Sequence, residues 1–131
     1  MKTTILLLAT GLAVTLPTFL AADPSLECGI NNNSQFEIGN CLTKTEAEVD
    51  GAVKLALGFA HASEVDLDKV TDRDRSVKAL EAGQTAWTAY LNGHCKFVGT
   101  TFGGGSDTGI AIQSCRIELG RLSATELMKF S

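Results

Sequence analysis

Apolar residues recur along much of the chain at steps of three, four and seven positions, the spacing of a single helix face. The first such stripe follows Ser34-Gln35-Phe36-Glu37, a pattern typical of a capping box at a helix start. The stripe predicts a helix, straight or bent, from about Gln35 to Ala60. Its apolar members are Ile38, Leu42, Val49, Val53, Ala56, Phe59 and Ala60.

Two further stripes predict two more helices. The second predicts a helix from about Arg73 to His94, capped by Thr71 or Asp72. The third predicts a helix that is capped by Ser106, Asp107 or Thr108 and ends near Lys129. The second stripe consists of Val77, Leu80, Gln84, Trp87, Leu91 and Cys95, and the third of Ile112, Cys115, Leu119 and Leu122.

The segments between the stripes predict irregular structure. Residues 23–33 contain Pro24, Gly29 and three consecutive asparagines, so we expect a polar irregular segment there. Residues 62–71 are rich in charge and predict a connector, and the glycines within residues 96–107 argue against helix. Since amphipathic helices bury their apolar faces only against one another, we predict an all-α bundle of three helices, or four if a short extra turn forms.

The beginning of the chain predicts an export signal. One lysine precedes an apolar run from Ile5 to Leu16, and Pro17 then precedes Ala21-Ala22. We expect cleavage after Ala22, or alternatively after Ala21, which divides the chain into a signal peptide (1–22) and one helical domain (23–131). The run is too short for a stable membrane span, so we expect an exported protein, periplasmic or secreted, with no membrane span after signal removal.

Four cysteines, Cys28, Cys41, Cys95 and Cys115, fall in the predicted mature domain. An even number in a short exported chain predicts two disulfides that staple the bundle. Three connectivities are possible, and we favour the local pairs Cys28–Cys41 and Cys95–Cys115. A metal site is the weaker alternative, because no Cys-x-x-Cys occurs and His94 beside Cys95 is a poor chelating pair. We therefore expect no metal and no cofactor.

The charge of the predicted domain bears on its partners. Without Lys2 the domain has 10 basic and 15 acidic side chains, a net charge of −5. That balance argues against nucleic acid as a partner and favours a basic protein through electrostatic steering. Plain solubility would explain the same charge, and the sequence leaves the oligomeric state open.

The glycine-rich segment before the third helix is a candidate binding loop. It lacks the lysine and the preceding strand of a phosphate-binding loop, so we interpret it either as a flexible connector or as a projecting loop whose two ends a Cys95–Cys115 disulfide would fix. The groups it would present are Thr100, Thr101, Phe102, Gly104, Ser106 and Asp107.

No catalytic residues are predicted. His61 and His94 lie at predicted helix ends, and neither has a nucleophile or carboxylate at a diagnostic spacing. Trp87 lies on the apolar stripe and is expected in the core, whereas Tyr90 lies off it and is expected to be partly exposed.

A set of spaced residues resembles a known family. Leu80 and Gln84-x-x-Trp87-x-x-Tyr90 precede Cys95, and a glycine-serine segment, residues 103–106, precedes Cys115, Leu119 and Glu126-Leu127. In order and spacing these residues resemble the lysozyme inhibitor LprI-like family (the LprI N-terminal domain), over about residues 27–128. We expect its motif residues to be mainly structural: Gln84, Trp87, Tyr90, Glu126 and Leu127.

The resemblance implies a small, helical, disulfide-bonded, exported bacterial domain that inhibits lysozyme, a strongly basic enzyme. The chain departs from the family pattern at four positions. Leu91-Asn92 stands where Arg-Asp is common, and Gly120 and Ser123 stand where Thr and Arg are common. Any polar network that the family builds from those residues must differ in this chain.

Three functions remain open at this point. The first is a binding protein that blocks a lysozyme-like, peptidoglycan-cleaving hydrolase. The second is a periplasmic structural or interaction protein with another envelope partner, which would leave lysozyme unaffected. The third, an enzyme, would require two carboxylates converging in a concave pocket with perturbed pKa values.

Overall fold

Four α-helices and a terminal turn of 3-10 helix make up the described part of the chain. The computed structural model describes residues 23–131, so the predicted signal peptide and its cleavage site lie outside the described residues. The described residues contain no strand, which confirms the all-helical fold class. The helices are α1 (Pro24–Gly29), α2 (Gln35–Thr71), α3 (Ser76–Thr100) and α4 (Ser106–Leu127), and the 3-10 turn spans Met128–Phe130.

The start of α2 confirms the predicted capping box. The backbone N–H of Glu37 donates to the Ser34 hydroxyl at 3.2 Å, and the backbone N–H of Ser34 donates to the Glu37 carboxylate at 3.1 Å. Two N–H groups that the first turn leaves without helical partners are satisfied reciprocally. The boundary at Gln35 follows from this local chemistry.

The predicted connector at residues 62–71 is wrong, because α2 continues through it to Thr71. That segment contains no glycine or proline, and charged side chains on a solvent-facing helix do not interrupt it. The helix ends where Asp72 adopts a left-handed conformation, with φ 50°. At 37 residues α2 is about 55 Å long.

The predicted cap of the second helix is also wrong. Instead of Thr71 or Asp72, the carboxylate of Asp68 accepts hydrogen bonds from the backbone N–H groups at the start of α3. The donors are Arg75, Ser76 and Val77, at 3.3, 2.9 and 3.1 Å. These hydrogen bonds lower the pKa of Asp68 because they favour the charged carboxylate. The bond from the Ser76 backbone N–H has the largest effect.

The expected non-helical stretch at residues 96–107 is confirmed for residues 101–105 and wrong for the rest, because α3 continues to Thr100 and α4 begins at Ser106. Gly99 is buried where a Cβ would lie 2.6 Å from Cγ1 of Ile112 on α4. A glycine that weakens a helix on propensity grounds here allows two helices to approach closely. The third predicted helix begins at Ser106 after Gly105, without any of the expected side-chain caps, and ends at Leu127.

Residues 24–29 form helix α1, contrary to the irregular segment predicted there. Pro24 occupies the first helical turn, where its missing N–H is harmless, and the Asp23 carboxylate accepts from the Ser25 N–H at 2.8 Å. This is the short extra element that the predicted bundle allowed for.

Helices α2 and α4 run parallel, and α3 runs antiparallel to both. Gln35 donates to Asp107 near the starts of α2 and α4, and Ala60 packs with Leu127 near the end of α4. One buried cluster contains Leu42 and Ile117, and the other contains Ala56, Ala60 and Leu127. Gly120 allows the close contact between α4 and α2, since a Cβ there would lie 2.5 Å from Val49.

Both predicted disulfides are present with the favoured connectivity. Cys28–Cys41 joins α1 to α2, and Cys95–Cys115 joins α3 to α4. A two-fold hydrogen-bonded ion pair between Glu27 and Arg121, at 2.9 and 2.7 Å, also fixes α1 on α4. None of the described helices is long and apolar enough to cross a membrane.

Candidate functional site

In the structure, the ordered turn at the predicted binding loop is short and spans residues 101–105, which we call the tip. Thr100 is the last residue of α3, and Ser106 and Asp107 open α4, so only Thr101, Phe102 and Gly104 of the predicted set lie in the turn itself. The tip joins two antiparallel helices at the end of the bundle where α2 begins. Its position makes it a convex projection.

Hydrogen bonds and glycines shape the tip. The Thr100 and Thr101 hydroxyls donate to backbone carbonyls of α3, at 2.6 and 2.7 Å, so they close the helix end. Gly103 and Gly104 have φ of 70° and 84°, a left-handed region that L side chains rarely adopt. The chain therefore reverses within five residues, and the turn depends on both glycines.

Phe102 is the main apolar group that the tip presents, with 51% of its surface exposed. Beneath it the Cys95–Cys115 disulfide and the contact between Gly99 and Ile112 hold α3 and α4 together. Since both supports lie within about three helical turns of the reversal, little conformational freedom remains to be lost when the tip binds.

Carboxylates lie beside the tip in a hollow of about 230 Å³, which Phe102, His94 and Leu119 also line. Burial raises the pKa of Glu118, and the charge of Asp23 raises it further. Burial also pushes the pKa of Asp23 upward, but hydrogen bonds from Ser25 and Ser114 outweigh it and leave that pKa below its ordinary value. Asp23 is therefore the carboxylate of the hollow whose surroundings favour a negative charge beside the exposed aromatic ring.

The exposed side of α3 carries a row of rings that leads toward the tip. Tyr90 stacks on His94 with ring centroids 5.2 Å apart, and Trp87 and Phe97 flank the pair at 6.0 and 6.3 Å. Tyr90 is exposed, as expected. Trp87 is only partly buried, and its place at a groove differs from the expected core position.

The sequence did not reveal a polar groove of about 260 Å³ at the middle of the bundle, which we call the central groove. Helices α2 and α3 form its walls and α4 its floor. Trp87 and Gln84 of the family motif line it, together with all four positions at which the chain departs from the family pattern. The lining residues are Glu46, Asp50, Val53, Gln84, Trp87, Thr88, Leu91, Asn92, Arg116, Gly120 and Ser123.

Charged and polar groups meet within the central groove. Arg116 donates to the Asn92 side-chain oxygen at 2.7 Å, and its Nε lies 3.6 Å from the Glu46 carboxylate. The indole N–H of Trp87 is buried and has no hydrogen-bond partner. Glu46 and Asp50 are four residues apart and share a face of α2, but no sequence pattern indicated that this face meets α3.

The two remaining motif residues lie at the far end of the groove. Glu126 and Leu127 line an adjoining apolar hollow of about 320 Å³, which shares Gln84, Trp87 and Ser123 with the central groove. Leu127 belongs to the buried core, and Glu126 pairs with Lys129 at 2.5 Å.

The two histidines contact different groups. His61 lies 4.0 Å from Glu81 in an exposed pair, and His94 stacks on Tyr90. Among residues 23–131, no three His, Cys, Asp or Glu side chains are grouped so that they could hold a metal ion. Two carboxylates with shifted pKa values, Asp23 and Glu118, do line one hollow, which is the arrangement that the enzyme hypothesis requires.

The profile of the family described as lysozyme inhibitor LprI matches residues 28–127. A protein of Rhizobium meliloti (strain 1021), whose name describes it only as uncharacterized, is 26% identical over 99 residues, covering 72% of this chain and 71% of that protein. No solved structure matches the chain. Because the family profile spans well over half of the chain, the chain belongs to the lysozyme inhibitor LprI family.

Proposed function

We propose that the protein is an exported inhibitor that binds a lysozyme-type hydrolase and blocks its substrate cleft with the tip. The observation that carries this proposal is the family match over residues 28–127, since the family is one of lysozyme inhibitors. The two disulfides support an oxidising, extracytoplasmic location, where a wall-cleaving enzyme would be met.

The shape of the tip supports its role. Substrate clefts are concave, and the tip is a convex turn that is already fixed by a disulfide and by two glycines with positive φ. Phe102 supplies an aromatic anchor, the kind of side chain that dominates the energy of many interfaces. A preformed anchor binds without first losing loop entropy.

Charge supports the choice of partner. The domain from residue 23 onward has a net charge of −5, and lysozyme is strongly basic. Asp23, Glu118 and Asp107 all lie close to the tip. Opposite charge would speed the encounter and would weaken with added salt.

The test is an inhibition assay with oxidised protein, a purified basic lysozyme and a suspension of cell walls. We expect inhibition at low salt that weakens at raised salt. Phe102→Ala should raise the inhibition constant about tenfold or more. Phe130→Ala is the matched control, because Phe130 is comparably exposed, at 59% against 51%, but lies at the opposite end of the bundle.

The outcomes separate the alternatives. No inhibition at tens of micromolar protein and low salt would reject lysozyme as the target and favour another envelope partner. Inhibition that Phe130→Ala weakens as much as Phe102→Ala would retain the inhibitor but reject the tip as its binding element.

A further inference from the structure

We propose that the central groove binds a neutral saccharide of one or two sugar rings. This inference concerns a surface other than the tip and does not depend on lysozyme inhibition. Its basis is a hollow of suitable size that brings an indole ring together with amide, carboxylate and guanidinium groups from three helices.

The groove has the dimensions of a small ligand site. Its volume of about 260 Å³ lies just below the range typical of small-molecule sites, which suits a single pyranose ring with room for part of a second. Its walls are the helices α2 and α3, so the lining side chains are held on rigid elements rather than on loops.

An unsatisfied donor points to a ligand with acceptor groups. The buried N–H of Trp87 has no partner in the described part of the chain, and leaving a buried donor without a partner is unfavourable. This N–H is not exposed to the groove in the described conformation, so a sugar hydroxyl or an acetamido carbonyl would accept its hydrogen bond after the indole ring turns toward the ligand. The indole ring would also offer an apolar surface to the C–H groups of a pyranose.

The remaining groups both donate and accept, as hydroxyls require. The Gln84 amide can do both, and the Asp50 carboxylate accepts and has no ion-pair partner among residues 23–131. A sugar hydroxyl combines donor and acceptor in one atom, so neighbouring hydroxyls could engage both side chains.

A cationic ligand fits the groove less well. Arg116 lies against Glu46 and offsets one of the two carboxylates, and a guanidinium on the floor repels a second cation. An ammonium group also has no acceptor for the Trp87 N–H. The groove therefore favours a neutral polyhydroxylated ligand over a basic side chain.

The small residues on the floor leave the groove open in this chain. Ser123 is buried and lines both the central groove and the adjoining apolar hollow. Arginine, which the family pattern commonly places at this position, would extend into that space. Ser123→Arg therefore provides a variant that fills the groove and leaves the residues of α2 and α3 that line it unchanged.

The experiment uses the single tryptophan as a reporter. N-acetylglucosamine, its β-1,4-linked dimer and cellobiose are titrated against the oxidised protein while Trp87 emission is recorded, and saturation-transfer NMR of the sugar gives an independent readout. We expect a saturable emission change for at least one sugar. Asp50→Ala should weaken binding at least fivefold, and Ser123→Arg should abolish it.

Control variants distinguish a specific loss of sugar binding from unfolding and from loss of lysozyme inhibition. Glu48→Ala removes another exposed carboxylate of α2 that does not line the groove, so it should leave sugar binding unchanged. Circular dichroism checks that each variant is folded, and Asp50→Ala carries the test if Ser123→Arg does not fold. Phe102→Ala should retain sugar binding, and Asp50→Ala should retain lysozyme inhibition, so the two proposals fail separately.

Two results would overturn the inference. One is the absence of any emission or saturation-transfer signal with all three sugars up to tens of millimolar. The other is an emission change with a short oligolysine peptide but with no sugar, which would assign the groove to a basic protein partner instead.

Discussion

Replacing both Cys95 and Cys115 with alanine removes the covalent support beneath the tip. The two cysteines are 20 residues apart in sequence, and closing a loop of that length restricts the unfolded chain by about 3.3 kcal/mol. Both side chains are almost fully buried, with 1% and 7% exposed, so the lost packing adds roughly 1 kcal/mol. We expect the free energy of unfolding to fall by about 4 kcal/mol.

Urea unfolding followed by circular dichroism measures this loss, and the other disulfide supplies a matched control. Cys28 and Cys41 are 13 residues apart, which gives about 2.9 kcal/mol on the same entropic basis. The two double variants should therefore be similarly destabilised. Only loss of Cys95–Cys115 frees the tip, so only that variant should lose inhibition under conditions where both remain folded.

Two results would refute this reasoning. A loss below about 1 kcal/mol for the Cys95/Cys115 variant would mean that loop closure and burial do not stabilise the fold as argued. Equal loss of inhibition in both folded variants would mean that the tip does not depend on the disulfide beneath it.

Three further substitutions test other contacts of the fold. Gly120→Ala places a Cβ 2.5 Å from a valine of α2 and should lower the free energy of unfolding in urea by about 1–3 kcal/mol. Gly109→Ala is the control on the same helix: its Cβ meets open space, so it should raise the free energy of unfolding by up to about 1 kcal/mol. Destabilisation by both substitutions would contradict the packing argument. Glu27→Gln should cost up to about 1 kcal/mol at neutral pH, because the pair with Arg121 is partly exposed. Since Arg121 lowers the pKa of Glu27, the ion pair stabilises the fold at pH values above the ordinary carboxyl pKa. The difference in melting temperature between Glu27→Gln and the parent should therefore vanish as the pH falls through the lowered pKa of Glu27. A difference in melting temperature that persists in strong acid would count against the ion pair. Asp68→Ala should lower the melting temperature, because three N–H groups at the start of α3 lose their acceptor, and an unchanged melting temperature would show that water replaces it without cost.

Local chemistry made part of the fold predictable. The capping box at Ser34 fixes the start of α2, and the stripe around Trp87 indicates the middle of α3. The spacing of the cysteines favoured the connectivity that is present. In each case the signal lies within a few residues or in a single helical period.

The wrong predictions of helix boundaries have physical causes that do not lie within a few consecutive residues. Charge alone does not end a helix, so α2 passes through the expected connector to Asp72. Gly99 lies within α3, and Ile112 of α4 packs into the space that a side chain at this position would fill. The signal for α1 was present in Asp23-Pro24, a cap followed by proline in the first turn, but the neighbouring glycine and asparagines obscured it.

The tip and the central groove also differ in how far the sequence predicts them. The tip was recognisable from its glycines and flanking cysteines, although the turn is shorter than the predicted loop. The central groove combines α2, α3 and α4. Its residues, such as Asp50, Gln84 and Arg116, are far apart in sequence, and only the packing of three helices brings them together.

The central claim is that the tip carries the contact with a lysozyme-type enzyme, and an NMR footprint tests it most directly. Isotope-labelled oxidised protein is titrated with unlabelled basic lysozyme, and backbone amide shifts are followed residue by residue. The account predicts that the largest changes fall on residues 101–105 and on the first turn of α4. Changes confined to the opposite end near Phe130, or no change at saturating lysozyme, would contradict it.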